Sequence, residues 1–207
     1  MMGRKEHWER IYSAKSPVEV SWYQQEPALS LQLIQNCGLT KDDPMIDVGG
    51  GASVLVDRLL AKGYRRLAVL DISATSLAYA QERLGDRAQH VEWFTADVTE
   101  FVAPHLFSLW HDRAVFHFLT SSEDRKKYVE VLKKTLKPGG YLVLAAFAMH
   151  GPTKCSGLDV VRYDAGKLMN ELGDQFELVG ETGETHVTPD NKEQLFSWFH
   201  LVRKECR

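Results

Sequence analysis

Three acids and a run of glycines are spaced to grip a nucleoside. Asp47-Val48-Gly49-Gly50-Gly51-Ala52-Ser53 follows one apolar run and precedes a helical pattern; Asp71 closes a second apolar run, and Ala96-Asp97-Val98 follows a third. Glycines at such a turn let a ligand approach bare backbone amides at a helix start. An acid about 20 residues further on, at the end of the next strand, meets a ribose diol. The dinucleotide fingerprint G-x-G-x-x-G/A is not satisfied, because counting from Gly49 and Gly51 the third position is Val54, whose branched side chain obstructs close helix packing. The Gly-Lys-Ser/Thr of a P-loop is absent. A ligand with a ribose but no pyrophosphate fits better.

The elements that must position these residues follow from hydrophobic patterning. Met45 to Val48, Leu67 to Leu70, Val91 to Phe94, Leu106 to Trp110 and Tyr141 to Phe147 are short apolar runs expected to form buried strands. Between them, apolar residues three and four apart (Val54, Leu55, Leu59 and Leu60; Leu77, Ala78 and Leu84; Tyr128, Val131, Leu132 and Leu136) predict amphipathic helices. Alternating strand and helix calls for parallel strands joined by right-handed crossovers, hence an open α/β sheet of Rossmann-like type with both faces covered. A short helix over Ala165 to Leu172 precedes two extended runs, Phe176 to Thr185 and Gln194 to Arg203, which are expected to close one edge as an antiparallel pair. Near the start, Glu6 to Ser13 and Ala28 to Cys37 look helical and flank Ser21-Trp22-Tyr23-Gln24, a loop outside the sheet and suited to covering it.

Composition limits the function classes. With 207 residues, 44% hydrophobic and 26% charged, the chain is expected to fold as one domain, 1–207. A formal charge of -3 gives no basic field for nucleic acid or an anionic membrane, so neither is expected as a partner. No apolar stretch is long enough to span a bilayer and the start is charged rather than signal-like, giving an expectation of a cytoplasmic protein. Cys37, Cys155 and Cys206 are odd in number and unpaired in spacing, which favours reduced thiols and argues against a zinc site.

Ile46-Asp47-Val48-Gly49-Gly50-Gly51, Leu70-Asp71-Ile72-Ser73, Ala96-Asp97-Val98 and Leu136-Lys137-Pro138-Gly139-Gly140 together resemble the motifs of the class I S-adenosylmethionine-dependent methyltransferases. The resemblance implies a seven-stranded, mostly parallel sheet of order 3-2-1-4-5-7-6 with strand seven antiparallel. It also implies S-adenosylmethionine as cofactor. Asp47 and the amides of Gly49, Gly50 and Gly51 would hold the methionine portion, Asp71 would accept from both ribose hydroxyls, and Asp97 with Val98 would bracket the adenine. Ile72, Trp93 and Phe94 are candidate walls for the ring, with ordinary core packing the alternative. Residues 1–37 are expected to form a helical lid over a core of 43–207.

Methyl transfer from a sulfonium is an in-line displacement for which positioning supplies much of the acceleration, and no metal is required. A thiol is already partly ionised near neutral pH, so its catalytic residues are expected to be few. Asp112-Arg113, at the end of the fourth apolar run, resembles the acid-base pair of thiopurine-methyltransferase-like enzymes and of small lysine methyltransferases; this places Asp112 at the border of cofactor and acceptor. His7-Trp8-Glu9-Arg10-Ile11-Tyr12 and Val20 to Gln24 resemble the lid of the lysine group, but Arg113-Ala114-Val115 replaces its Lys-Gly-Thr. Candidate acceptor-side residues are His117, His186 between the last two strands, Cys155 in the polar segment after strand five, and Asp112. For each of the two histidines and the cysteine, a packed or surface role is the alternative. Arg162 and Tyr163 are suited either to an anionic acceptor or to capping the next helix, and Trp22 and Tyr23 to closing over a sulfonium. The expected acceptor is a small molecule, of thiol or sulfide type or a selenium analogue; a protein lysine is the alternative.

Overall fold

The computed structural model describes residues 3–205, so Cys206 lies outside the described residues. The strands are β1 (Met45–Val48), β2 (Leu67–Asp71), β3 (Val91–Thr95), β4 (Phe107–Arg113), β5 (Leu136–Phe147), the short pair β6 (Lys154–Cys155) and β7 (Leu158–Asp159), then β8 (Phe176–Val187) and β9 (Glu193–Arg203). All but the short pair form one sheet of order β3-β2-β1-β4-β5-β9-β8, with β1 to β5 parallel and β9 antiparallel to both neighbours. Counting only the strands of this sheet, it is the 3-2-1-4-5-7-6 order expected from the sequence.

Every residue of β1 and β2 is buried, as near-continuous apolar strands between two helical layers must be. One face packs Trp110, Phe116, Tyr128 and Tyr163; the other packs Ile34, Phe147, Phe196 and Trp198. Two helices, α1 (Arg4–Ala14) and α2 (Ala28–Asn36), precede the sheet; α3 (Leu55–Ala61), α4 (Ala74–Leu84), α5 (Ser122–Thr135) and α6 (Ala165–Leu172) connect its strands. Three of the connecting helices start where a short polar side chain satisfies an orphan amide: Ser73 accepts from Ser76 N, Ser121 from Glu123 N and Asp164 from Lys167 N.

The strand β5 begins earlier than its apolar run. The pattern of Leu136 to Gly140 predicts a turn; instead Leu136 pairs with Phe107 before the register shifts to Leu109 opposite Tyr141. Gly139, at φ +73°, absorbs that irregularity. The segment after β5, polar and turn-rich in sequence, contains a two-residue hairpin whose central Ser156 and Gly157 both have positive φ, the geometry that matches the twist of paired strands.

Glu9 of α1 accepts from Ala74 N at 2.7 Å, Thr75 N at 3.3 Å and Ser73 Oγ at 3.0 Å, so a carboxylate sits on the positive end of α4. Tyr79 of α4 donates in turn to the carbonyl of Tyr12. No helix among the described residues is long and apolar enough to cross a membrane.

Candidate functional site

At the carboxyl end of β1 the chain turns sharply. Gly49 has φ +67° and its amide donates to Leu70 O at 2.7 Å, while Gly51 has φ +40°. A Cβ on Gly49 would lie 2.0 Å from Val115 Cγ2, and one on Gly51 2.7 Å from Asp71 Oδ2. Glycine is required here twice over, for its backbone conformation and for the close approach of three strand ends.

Asp71 ends β2 with its carboxylate buried, and Ser73 N donates to Oδ1 at 2.9 Å. Burial pushes its pKa up to about 7, with the nearby charges of Asp47 and Glu9 adding to the rise and hydrogen bonds from Ser73 and Ser76 opposing it. Asp97, after β3, accepts from Thr99 N and Oγ1 through one oxygen and pairs with Arg4 at 3.1 Å through the other.

These residues line one end of a cavity that opens to solvent. Asp71, Ile72, Asp97 and Val98 face that end; Arg4, Trp8, Tyr12 and Trp22 border it from the N-terminal segment; Arg113, His117, Phe118, Phe147, Cys155 and Phe196 line the rest. The aromatic border is internally braced: Trp8 stands edge-on to Phe118 at 5.0 Å and to Trp22 at 5.6 Å, and Trp22 Nε1 donates to Tyr12 Oη. A second, smaller cavity shares Trp22, Val48, Gly49 and Arg113 with the first and adds Asp47, Gly50, Tyr23, Gln24 and Ser30. Asp47 is not a lone carboxylate there, because His111 Nδ1 donates to it at 2.7 Å while Nε2 meets Ser30 Oγ at 3.1 Å.

The loop that carries Trp22 is pinned from two sides. His186 Nε2 donates to Ser21 O at 2.7 Å, Gln24 Nε2 donates to Glu184 Oε1 at 2.9 Å, and Arg113 Nη1 donates to Trp22 O at 3.0 Å.

His117 is fully buried on a 3-10 turn after β4. Phe147 N donates to its Nδ1 at 3.4 Å, and burial, with the Arg113 charge adding, lowers its pKa to about 3. The ring is therefore neutral with its proton on Nε2, and that N–H finds no partner among the described residues. Arg113 is partly exposed as a whole residue, yet its Nε and Nη2 atoms are buried and equally unpartnered, with the guanidinium carbon 4.9 Å above the Phe196 ring. Burial lowers its pKa, opposed by Glu184, Cys155 and Asp47 nearby. Cys155 is buried, and that burial raises its thiol pKa.

Of the residues singled out in the sequence, the structure brings Trp22, Gly49, Asp71, Ile72, Asp97, Val98, His117 and Cys155 to the first cavity and Asp47 and Gly50 to the second. Others stand elsewhere. Gly51 supports Asp71 from behind. Asp112 faces neither cavity: its carboxylate is buried, accepting from Tyr128 Oη at 2.6 Å and Val115 N at 2.8 Å. It holds the turn after β4 in place, and burial pushes its pKa up to about 6. His186 lies on β8 rather than in the connecting turn, with its ring spent on Ser21. Trp93 donates to Ala88 O and Phe94 packs on Phe101, so neither walls the cavity. Tyr163 is core, Arg162 donates to Gly151 O, and it is Asp164 that caps α6.

The sequence pattern does not mark Arg113 as a cavity residue in its own right, nor Trp8, Phe147 and Phe196 as walls. Ala114, with φ +74°, is the feature that sequence hides: a non-glycine in left-handed conformation turns the chain so that Arg113 and Val115 both face the cavity.

Residues 45–140 match a family model described as a methyltransferase domain. Nodulation protein S of Rhizobium tropici is 29% identical over 101 residues, covering 49% of this chain and 42% of the relative. The protein of the same name from Sinorhizobium fredii is 28% identical over 101 residues, covering 49% and 46%. The match thus spans less than half the length of these two curated relatives. Among solved structures, the N-methyltransferase NodS from Bradyrhizobium japonicum in complex with S-adenosyl-L-homocysteine superposes with a TM-score of 0.73 at 17% identity, covering 95% of this chain and 98% of that one. A structure described under conversion of a disulfide bond into a thioacetal group during echinomycin biosynthesis gives 0.80 at 14%, covering 98% and 92%. The glycopeptide N-methyltransferase MtfA complexed with sinefungin gives 0.67 at 14%, covering 91% and 98%. The chain has the Rossmann-like methyltransferase fold, with a methyltransferase-domain sequence across β1 to the start of β5.

Proposed function

We propose that this chain is an S-adenosylmethionine-dependent methyltransferase acting on a small molecule through a thiol or sulfide nucleophile, or its selenium analogue. The site residues fit an adenosyl sulfonium. Asp71 is a buried carboxylate poised at a strand end, Gly49 and Gly51 leave no room for a side chain, and Ala96 to Val98 offer one apolar and one acidic wall. When bound, the cofactor supplies a methyl group on a positively charged sulfur.

The chain's own residues then do three things. Asp71 accepts from the ribose hydroxyls, Asp97 and Val98 flank the adenine, and the Gly49–Gly51 turn with Asp47 takes the methionine end. Trp8, Tyr12 and Trp22, on the N-terminal segment that serves as a lid, keep water out and place aromatic faces near the cation. Cys155 and His117 border the acceptor and orient it. Neither is asked to remove a proton, since His117 is held neutral far below its ordinary basicity and the Cys155 thiol is pushed up.

The observation that carries the sulfur reading is the character of the acceptor end. Arg113, Phe118, Phe147, Cys155, Gln194, Phe196 and His117 line the cavity apart from Asp71 and Asp97, and none of these seven side chains is acidic. An ammonium group would meet the Arg113 charge with no carboxylate among these side chains to pair with or deprotonate it, whereas a thiol is already partly ionised near neutral pH and meets the donors of Arg113 and His117. Sulfur chemistry also accompanies the echinomycin-pathway neighbour. The N-methyltransferase neighbours favour a second reading, transfer to an amine nitrogen of a small molecule. Incubation with methyl-labelled cofactor and matched thiols and amines separates them: label in thioether products supports the first, label in methylamines the second, and label retained on a protein band the protein-lysine alternative.

A further inference from the structure

Two unpartnered donors of Arg113 lie on the same edge of its guanidinium. Nη1 is spent on the Trp22 carbonyl, and Nε–H and Nη2–H, side by side and both buried, form the fork that matches the two oxygens of a carboxylate. Leaving a guanidinium edge buried and unsatisfied is costly, so the arrangement calls for an anion. The His117 Nε2–H adds a further unpartnered donor lining the same cavity, and it is a donor because Phe147 N occupies Nδ1. Asp47, the nearest candidate partner in the second cavity, is paired with His111. Glu184, on the other side, accepts from Gln24 and from Trp198 Nε1 at 2.9 Å. Cys155, whose thiol burial keeps protonated, lies near the guanidinium, Phe196 packs beneath it, and Gln194 also lines the cavity, so none of these supplies a carboxylate.

We propose that Arg113 is the specificity-determining residue of the acceptor subsite, receiving a carboxylate carried by the methyl acceptor, with His117 Nε2–H as an auxiliary donor. The acceptor class is then a short acid bearing its nucleophile a few bonds from the carboxylate, and within the sulfur reading above, on whose cofactor placement this rests, a mercapto acid. The same fork suits the carboxylate of the cofactor's methionine end, and the test separates the two sources.

Product-like probes are titrated into the complex with S-adenosyl-L-homocysteine: 3-(methylthio)propionate and its neutral counterpart methyl propyl sulfide, followed by ligand-observed NMR. The acid is expected to bind about tenfold or more tighter than the neutral probe, and the preference to vanish in Arg113→Gln and to return in part in Arg113→Lys. Affinity for S-adenosyl-L-homocysteine should fall by less than the probe preference does in the glutamine variant, since that variant also loses the Nη1 bond to the Trp22 carbonyl. Equal binding of the two probes overturns the proposal, as does a preference that survives Arg113→Gln. Loss of S-adenosyl-L-homocysteine affinity without change in probe preference also overturns it, assigning the fork to the cofactor. If either variant fails to fold, the probe comparison on the unaltered chain still decides. Because this readout is binding, a chain that prefers the acid yet methylates no thiol keeps the carboxylate subsite and loses the sulfur reading.

Discussion

Replacing Asp71 by Asn separates binding from folding in opposite directions. In the ligand-free chain the carboxylate is desolvated, and a rise from 3.8 to about 7 corresponds to about 4 kcal/mol of cost for the ionised form. The folded chain therefore holds an extra proton between these two values. The stabilising contribution of this group is complete below pH 3.8, declines as pH rises and is gone above about 7. At pH 8 the ligand-free Asp71→Asn variant should be as stable as the parent or more so, since the amide keeps the Ser73 N–H bond without the charge. With cofactor the balance reverses. A ribose diol donating to a carboxylate makes charge-assisted hydrogen bonds worth about 1.5 to 3 kcal/mol each, and an amide oxygen replaces at most one, so affinity for S-adenosyl-L-homocysteine should fall about 10- to 150-fold. Binding to the parent should also weaken by up to about tenfold per pH unit below 7, and the Asp71→Asn variant should lose this pH dependence. Calorimetric titration from pH 5.5 to 8 alongside urea unfolding checks both halves. A folded variant with unchanged affinity and an unchanged pH profile would refute the assignment of the ribose to Asp71.

Other substitutions probe the supports. Gly49→Ala forces a methyl to within 2.0 Å of stiff Val115 and a left-handed alanine, so urea unfolding should show a loss of about 2 to 4 kcal/mol and thermal shift with the cofactor product should disappear. Asp112→Ala strands the buried Phe116 N and Tyr128 Oη, which should cost about 2 to 6 kcal/mol by denaturation, while Asp112→Asn should leave cofactor affinity within about twofold because its carboxylate faces neither cavity. Trp22→Ala removes a side chain that both cavities share; the rate with saturating cofactor should drop at least tenfold under single-turnover conditions, with stability changed by less than about 2 kcal/mol, roughly what a half-buried ring contributes.

Much of the frame is visible in the residues themselves because the central strands are largely apolar and buried and the turns carry glycine. Met45 to Val48 bounds β1 and Ala165 to Leu172 bounds α6 with no residue displaced. The proposed cofactor end is legible for a related reason: Asp47, Asp71 and Asp97 recur at or just past the ends of three successive strands. The acceptor end is not. It is assembled by contacts between residues far apart in sequence, such as Arg113 with Trp22 and Phe196, and no spacing rule encodes them. Asp112 misleads because a buried helper that caps a turn and a catalytic acid look alike in sequence. Burial with Tyr128 and two backbone amides distinguishes them only in three dimensions. His186 misleads because β8 runs two residues further than its apolar pattern.

A crystal structure of the S-adenosyl-L-homocysteine complex tests the central claim most directly. The ribose hydroxyls should rest on Asp71, the adenine between Asp97 and Val98, and the sulfur should open toward Arg113, His117 and Cys155. A ligand bound elsewhere, or one whose sulfur faces away from those three side chains, would contradict the account.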